Sequence, residues 1–171
     1  MRSDARQNRD RVLAAARDEF TAHGAAASLN KIAQRAGVGP GTLYRHFPSA
    51  QALLVAIITE DVAALVDHGR ELLGHPSPGE ALRIWLRAVA VHATAMRGLV
   101  ATELLGADPA LAECHDRIRA VAGELSERAG VRDDVDDLLA VVSAVAWASE
   151  RLPGDPGRLD RLLTLVTRGL P

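Results

Sequence analysis

The residues best suited to bind an anion lie close together in the segment TLYRHF, which begins at Thr42. Thr42, Tyr44, Arg45 and His46 supply hydroxyl and cationic groups, the donors that bind phosphate oxygens. The two apolar residues of the segment are four positions apart, so we expect them to be buried on the other side of a short helix. Taken alone, Tyr44 is more typical of a core aromatic residue whose hydroxyl reaches water.

These donors follow a pattern that predicts two short helices joined by a tight turn. Ser28 is a good N-cap for a helix over Leu29–Ala36, and Gly37 tolerates the positive φ that ends it. Pro40 suits the first turn of a second helix, which we expect to reach about Phe47. This spacing is that of a helix-turn-helix. It also occurs in helical hairpins of ordinary α-bundles, so the spacing alone leaves both interpretations open.

The rest of the chain must position these helices, and its pattern predicts an all-α protein. Apolar residues recur at intervals of three and four, and no strand pattern is present. We expect further helices over about 5–23, 50–73, 80–96, 108–130, 134–152 and 158–169, with a short one over 99–105. Gly24 is predicted to end the first helix, and Ser49 and Asp133 or Asp134 to cap later ones. We predict a helix-turn-helix DNA-binding domain over 1–48 and a helical ligand-binding and dimerisation domain over 49–171, with the long fourth helix joining them.

Charge is unevenly distributed between these two parts. Residues 1–51 contain eight Lys and Arg against four Asp and Glu, whereas the remainder contains twelve against eighteen. This asymmetry favours an N-terminal part that meets a polyanion, although chance scatter of surface charge gives the same counts. The formal net charge of −2 excludes a uniformly basic protein.

The segment SLNKIAQRAGVGPGTLYRHFPSAQALL, from Ser28 to Leu54, resembles the DNA-binding segment of the TetR family of bacterial transcriptional repressors. The preceding RVLAAARDEFTAHG resembles the family's first helix, so the resemblance covers residues 9–58. The rest of the chain is similar only in being helical and in ending in two helices. The resemblance implies a dimer, held by a bundle of its last two helices, that binds a palindromic operator and releases it when a small molecule enters the C-terminal domain.

The resemblance implies specific DNA contacts. Ser28 would cap its helix near a phosphate, and Asn30 would reach the DNA edge or backbone. The residues implied to contact phosphates are Thr42, Tyr44 and His46. The residues implied to face the floor of the groove are Gly39, Pro40, Gly41 and Arg45. Of these, Arg45 is the clearest candidate for reading a base, for which guanine is expected, and Pro40 is suited to a thymine methyl group.

The sequence departs from the family pattern at two places. Ala50 stands where the family usually has a lysine that contacts a phosphate, and the groove-facing turn, often polar, is Gly-Pro-Gly here. Arginines near the N-terminus offer a replacement anchor in an adjacent minor groove or on the backbone, namely Arg2, Arg6 and Arg9. A frayed, solvated terminus is the alternative.

The C-terminal part contains a candidate small-molecule site. Trp85, Val89, His92 and Met96 share one flank of the fifth helix, where apolar groups with a few polar ones are typical of a ligand pocket. Other candidates are Glu103, Cys114, Trp147 and Glu150. Packing in the core is the alternative for each of them. The family resemblance implies a cavity, which would be mainly aliphatic, and leaves its ligand unknown.

The last two helices are apolar over a wide arc, which favours a self-complementary surface for a homodimer. The residues predicted at this interface are Leu138, Val142, Val145, Leu159, Leu162, Leu163 and Val166.

The sequence predicts neither an enzyme nor a membrane protein. Cys114 and His115 are adjacent, so on a helix they point about 100° apart and form no nucleophile–base pair. One cysteine makes no internal disulfide, the N-terminus has no apolar signal region, and no apolar run is long enough to span a bilayer. We expect a cytoplasmic protein without metal or cofactor, whose partners are double-stranded operator DNA and a small-molecule effector. A helical dimer whose N-terminal helices bind another protein is the alternative.

Overall fold

The computed structural model describes the backbone of residues 2–100, 108–152, 154–155 and 157–168, and their side chains except those of 2–5, 25 and 97–100. These residues form eight α-helices, one short 3-10 helix and no strand, which confirms the all-α fold. The helices are α1 (Arg2–His23), α2 (Leu29–Ala36), α3 (Pro40–His46), α4 (Ala50–Leu72), α5 (Pro78–Val100), α6 (Pro109–Arg128), α7 (Val135–Arg151) and α8 (Arg158–Thr167).

The predicted caps are confirmed where the sequence placed them. Ser28 Oγ accepts the amide of Lys31, and Ser49 Oγ accepts the amide of Ala52. Of the two candidates before α7, it is Asp134 that accepts the amides of Asp136 and Asp137. Gly24 and Gly37 both take positive φ, at 53° and 66°. These features depend on only a few neighbouring residues.

Helix α5 is longer than the sequence predicts. It begins at Pro78, where the missing amide of proline costs no hydrogen bond, and the carbonyl of Ser77 accepts the amide of Ala81 at 3.0 Å. It extends to Val100, so Leu99 belongs to α5 and does not begin a separate helix. The remainder of that predicted short helix, residues 101–105, lies outside the described residues.

The described residues divide into two compact units. The first unit comprises the chain up to Glu60, together with 97–100 and 108–111, and the second unit comprises 61–96 and the described residues from 112 onward. In the first unit the core lies between α1, α2, α3 and the start of α4. Glu60 of α4 pairs there with two arginines of α1, at 3.2 Å from Arg9 and 3.0 Å from Arg17.

In the second unit, α4, α5 and α6 approach closely at Gly69. A Cβ atom at this position would lie 2.6 Å from Nε1 of Trp85, and closer still to Cγ1 of Val121. The indole N–H of Trp85 donates to the carbonyl oxygen of Leu65 at 3.0 Å, so this fully buried side chain has its polar group satisfied. The approach therefore requires glycine at position 69.

Within the described ranges, no single helix is long and apolar enough to cross a membrane. The pair α3 and α4, bent by 64° at the break between them, passes that test by length and composition alone.

Candidate functional site

The turn between α2 and α3 is built by backbone hydrogen bonds around Gly37. The amide of Val38 donates to the carbonyl of Ala33 at 3.0 Å, and the amide of Gly37 donates to that of Gln34 at 3.2 Å. This pair of bonds is the Schellman motif, which needs a residue in the left-handed conformation between them. Gly37 meets this need and redirects the chain into α3.

Replacing Gly37 with alanine should destabilise the first unit by about 1 kcal/mol, because a Cβ atom is strained at positive φ. Urea denaturation followed by far-ultraviolet circular dichroism measures this change. Gly41→Ala is the matched control, since Gly41 lies within α3 and has no neighbouring atom within 4 Å of the added Cβ. That control should keep or slightly raise stability, and an equal loss in both variants would contradict the role assigned to Gly37.

Helix α3 presents its polar residues to solvent and its apolar ones to the core. Leu43 and Phe47 are buried, whereas Tyr44, Arg45 and His46 are exposed and Thr42 is half-buried. Tyr44 is 44% exposed, so it is not the core aromatic that its residue type alone favours. The first turn has no side-chain cap, because Gly39 is the N-cap and Pro40 follows it. All three residues of this Gly-Pro-Gly turn are exposed.

Arg45 folds back over the start of its own helix. Its Nε donates to the carbonyl of Gly41 at 3.2 Å, and its Nη2 donates to Thr42 Oγ1 at 3.3 Å. These bonds are local and exposed, so little energy is needed to exchange them for other hydrogen-bond acceptors. At the N-terminus of α2, Ser28 is half-buried and Asn30 is exposed.

Helix α1 contributes to the same part of the first unit. A cleft of about 100 Å³ lies between α1 and α3, and its polar lining comes from Asn8, Arg9, Thr42 and His46. The N-terminal arginines belong to the helix, since α1 begins at Arg2. Arg9 is already paired with Glu60. Arg6 is exposed, and the side chain of Arg2 lies outside the described residues.

The candidate ligand residues of α5 face inward in the second unit. Trp85 is fully buried, Val89 and Met96 are buried, and His92 is half-buried. Burial lowers the pKa of His92, and the negative charge of Asp61 opposes that shift. The net shift of the His92 pKa is downward, which favours the neutral imidazole over the charged one.

The remaining candidate ligand residues are not on that flank. Cys114 is buried on α6, and Glu150 is exposed on α7. Trp147 is 47% exposed, and its ring lies under the guanidinium of Arg151 at 4.5 Å from the ring centroid. Glu103 lies outside the described residues.

Three residues predicted at a dimer interface are buried within the chain itself, namely Val142, Val145 and Leu163. They pack in the core of the second unit. Val166 is exposed, and Leu138, Leu159 and Leu162 are half-buried. The exposed large apolar residues of the α7–α8 region are Val141, Trp147, Leu152, Leu165 and Val166.

Sequence reasoning missed two residues, Glu19 and Gly69. Glu19 lies fully buried on α1, beside the start and the end of α2. Its charge and its place in an amphipathic helix gave no sign of burial. For Gly69 the sequence gave only a weak sign. A glycine in the middle of a helix lowers the stability of that helix, so its presence there suggests a packing reason.

Comparison with known proteins assigns both parts of the chain. Residues 12–57 match the family model for bacterial regulatory proteins of the tetR family. Residues 77–171 match the model for the C-terminal domain of SbtR-like transcriptional regulators. A curated relative, the HTH-type transcriptional regulator SAUSA300_2515 of Staphylococcus aureus, is 37% identical over 73 residues, covering 42% of this chain and 40% of the relative. The match thus spans less than half of that relative's length.

Solved structures match over nearly the whole chain. The TetR regulator SCO0520 of Streptomyces coelicolor is 35% identical, with a TM-score of 0.77 over 95% of this chain and 97% of that one. A TetR regulatory protein of Mycobacterium vanbaalenii is also 35% identical, with a TM-score of 0.76 over 99% and 98%. LfrR of Mycobacterium smegmatis, solved with proflavine, is 22% identical and shares the fold, with a TM-score of 0.70 over 97% of both chains.

Proposed function

Since the chain belongs to the TetR family of bacterial transcriptional regulators, we propose that it is a repressor that binds a palindromic operator as a homodimer and leaves it when a small molecule binds. Family membership confirms the resemblance found in the sequence. The proposal divides the work between residues 1–48, which bind DNA, and residues 49–171, which bind the effector and a second copy. Such a regulator acts in the bacterial cytoplasm.

The exposed donors around the helix-turn-helix carry the DNA-binding proposal. Helix α3 enters the major groove, where its bare Gly-Pro-Gly turn lets the helix end approach the bases. Thr42, Tyr44 and His46 bind phosphates, Ser28 lies near one at the start of α2, and Asn30 reaches the DNA edge or backbone. Arg45, the remaining cation of α3, reads a base.

The exposed apolar residues of α7 and α8 support the homodimer. Val141, Trp147, Leu165 and Val166 each lie 44% or more exposed, which is costly in water and favours a self-complementary contact. Leu138, Leu159 and Leu162 lie at the edge of this surface. A two-fold dimer then places two α3 helices about 34–36 Å apart, one turn of DNA.

An effector site on the inner flank of α5 is the regulatory part of the proposal. His92 provides a neutral polar group beside the apolar Val89 and Met96, a combination that suits a mainly aliphatic ligand. LfrR, a relative in fold, holds proflavine, which supports a small-molecule effector as a class. Helix α4 has residues in both units, so a change in the second unit is transmitted along it by a shift between two populations.

Footprinting of the DNA upstream of the gene, with sedimentation of the purified protein, tests the function. We expect a homodimer at micromolar concentration that protects an inverted repeat, with an affinity that falls steeply as salt rises. A monomer that shows no salt-dependent binding to this DNA would contradict the proposal. Unchanged DNA binding by Tyr44→Phe and Arg45→Ala would favour the alternative of a protein-binding module.

A further inference from the structure

A buried carboxylate in the first unit has no part in the DNA contacts described above. Glu19 of α1 is 0% exposed, although acidic side chains are almost never fully buried unless they are paired. Its Oε1 accepts the backbone amide of Ser28 at 3.4 Å, and Nε2 of His23 lies 3.6 Å from the same oxygen. Its Oε2 lies 3.4 Å from Nη1 of Arg35. One carboxylate thus contacts the N-cap and the last turn of α2.

Glu19 supplies what α2 lacks in its own sequence. In a capping box, an acidic residue three positions after the N-cap accepts the amide of the N-cap residue. That position in α2 is Lys31, and the first turn contains no acidic residue. Ser28 Oγ accepts the amide of Lys31, which leaves the amide of Ser28 itself for Glu19. A neighbouring helix therefore completes the cap and places a negative charge at the positive end of the α2 dipole.

The surroundings of Glu19 indicate that it fixes the position of α2 more than it adds stability. Compared with an apolar residue of the same size, a buried ion pair contributes little net stability, because both charges must be removed from water. Arg35, the arginine that faces Glu19, is also partly in solvent, since its side chain is 53% exposed. What Glu19 provides is a directed contact to the backbone at the start of α2.

We propose that Glu19 is a positioning residue for DNA binding: it holds the amide of Ser28 and so fixes the N-terminus of α2 where Ser28 meets a phosphate. The proposal rests on the proposed function, because Glu19 is buried and acts only through α2. The length of the Glu19 side chain matters more than its charge in this arrangement.

Two substitutions separate length from charge in the full chain. Glu19→Asp keeps the charge but withdraws the carboxylate by about 1.5 Å. Glu19→Gln keeps the length and an oxygen acceptor but removes the charge. The first readout is the salt dependence of affinity for the DNA upstream of the gene. The second is hydrogen exchange of the Ser28 amide in the protein without DNA.

We expect Glu19→Asp to reduce the slope of log affinity against log salt by about one per DNA-binding domain, as when one phosphate contact is lost. The Ser28 amide should then exchange about tenfold faster. Glu19→Gln should stay close to wild type in both readouts. A general loss of stability changes the folded fraction without changing the salt slope. The slope therefore separates a role of Glu19 in positioning α2 from a role in stability alone.

The proposal fails if Glu19→Asp matches wild type in both readouts, or if Glu19→Gln loses as much as Glu19→Asp. The second result would assign the effect to the ion pair with Arg35. Failure of the proposed function looks different, because the wild-type protein itself would then bind no DNA. Exchange of the Ser28 amide would still report on the contact with Glu19.

Discussion

Replacing Gly69 with alanine should lower the free energy of unfolding of the second unit by about 3 kcal/mol, because the added methyl group overpacks a full interior. The new Cβ would lie 2.6 Å from Trp85 Nε1 and would also collide with Val121. Both tryptophans of the chain lie in the second unit, so urea denaturation followed by tryptophan fluorescence reports on this unit.

Gly123→Ala is the matched control for this loss. Gly123 lies within α6, and no atom lies within 4 Å of a Cβ added there. Alanine is a better helix former than glycine, so this variant should gain up to about 1 kcal/mol. If the two variants changed the free energy of unfolding equally, the close approach of Trp85 and Val121 to Gly69 would be contradicted.

Replacing Arg45 with alanine should weaken binding to the operator by about ten- to a hundredfold, as expected for loss of a bidentate contact to a base. Stability should be nearly unchanged, because the hydrogen bonds that Arg45 makes in the described part of the chain are exposed and lie within its own helix. Titration of the operator and of copies with single base changes measures both affinity and discrimination. At one position, a base change should lower the affinity of the wild-type protein strongly. The same change should lower the affinity of Arg45→Ala only weakly.

Arg70→Ala is the control for a general effect of charge, since Arg70 is an exposed arginine of α4 in the second unit. Its affinity should stay within about twofold of wild type. If Arg45→Ala instead weakens all sequences equally and reduces the salt slope by about one, Arg45 contacts a phosphate. Base recognition would then have to come from elsewhere, with Asn30 as the next candidate.

Local features of the fold were predictable from the sequence. Ser28, Gly37 and Pro40 each act on backbone groups within a few positions, so residue type and spacing are enough to place them. Before α7 they left Asp133 and Asp134 as alternatives, and the structure has Asp134 as the cap. The two-helix pattern was predictable for the same reason, whereas residue type alone favoured a core position for Tyr44, which is exposed. The extension of α5 was not predictable, because Pro78 is acceptable either in the first turn or just before it.

Features that depend on distant segments were not predictable. Glu19 meets groups nine and sixteen positions away, and Gly69 meets Trp85 and Val121 on two other helices. The apolar arc of α7 shows a related limit. Periodicity identifies which residues avoid water, but it does not say whether they meet the same chain, as Val142 does, or a second copy.

The bare turn at the start of α3 makes this protein a convenient scaffold for engineering. A Cβ atom added at Gly41 has no neighbouring atom within 4 Å, and one added at Gly39 lies 3.9 Å from Thr42 Oγ1. Neither glycine has positive φ, so neither position demands glycine on backbone grounds. A library randomised at these two positions would therefore sample new operator preferences with little loss of folded protein. Under the proposed docking of α3 in the major groove, these two glycines are thus the positions at which we expect DNA specificity to be easiest to change.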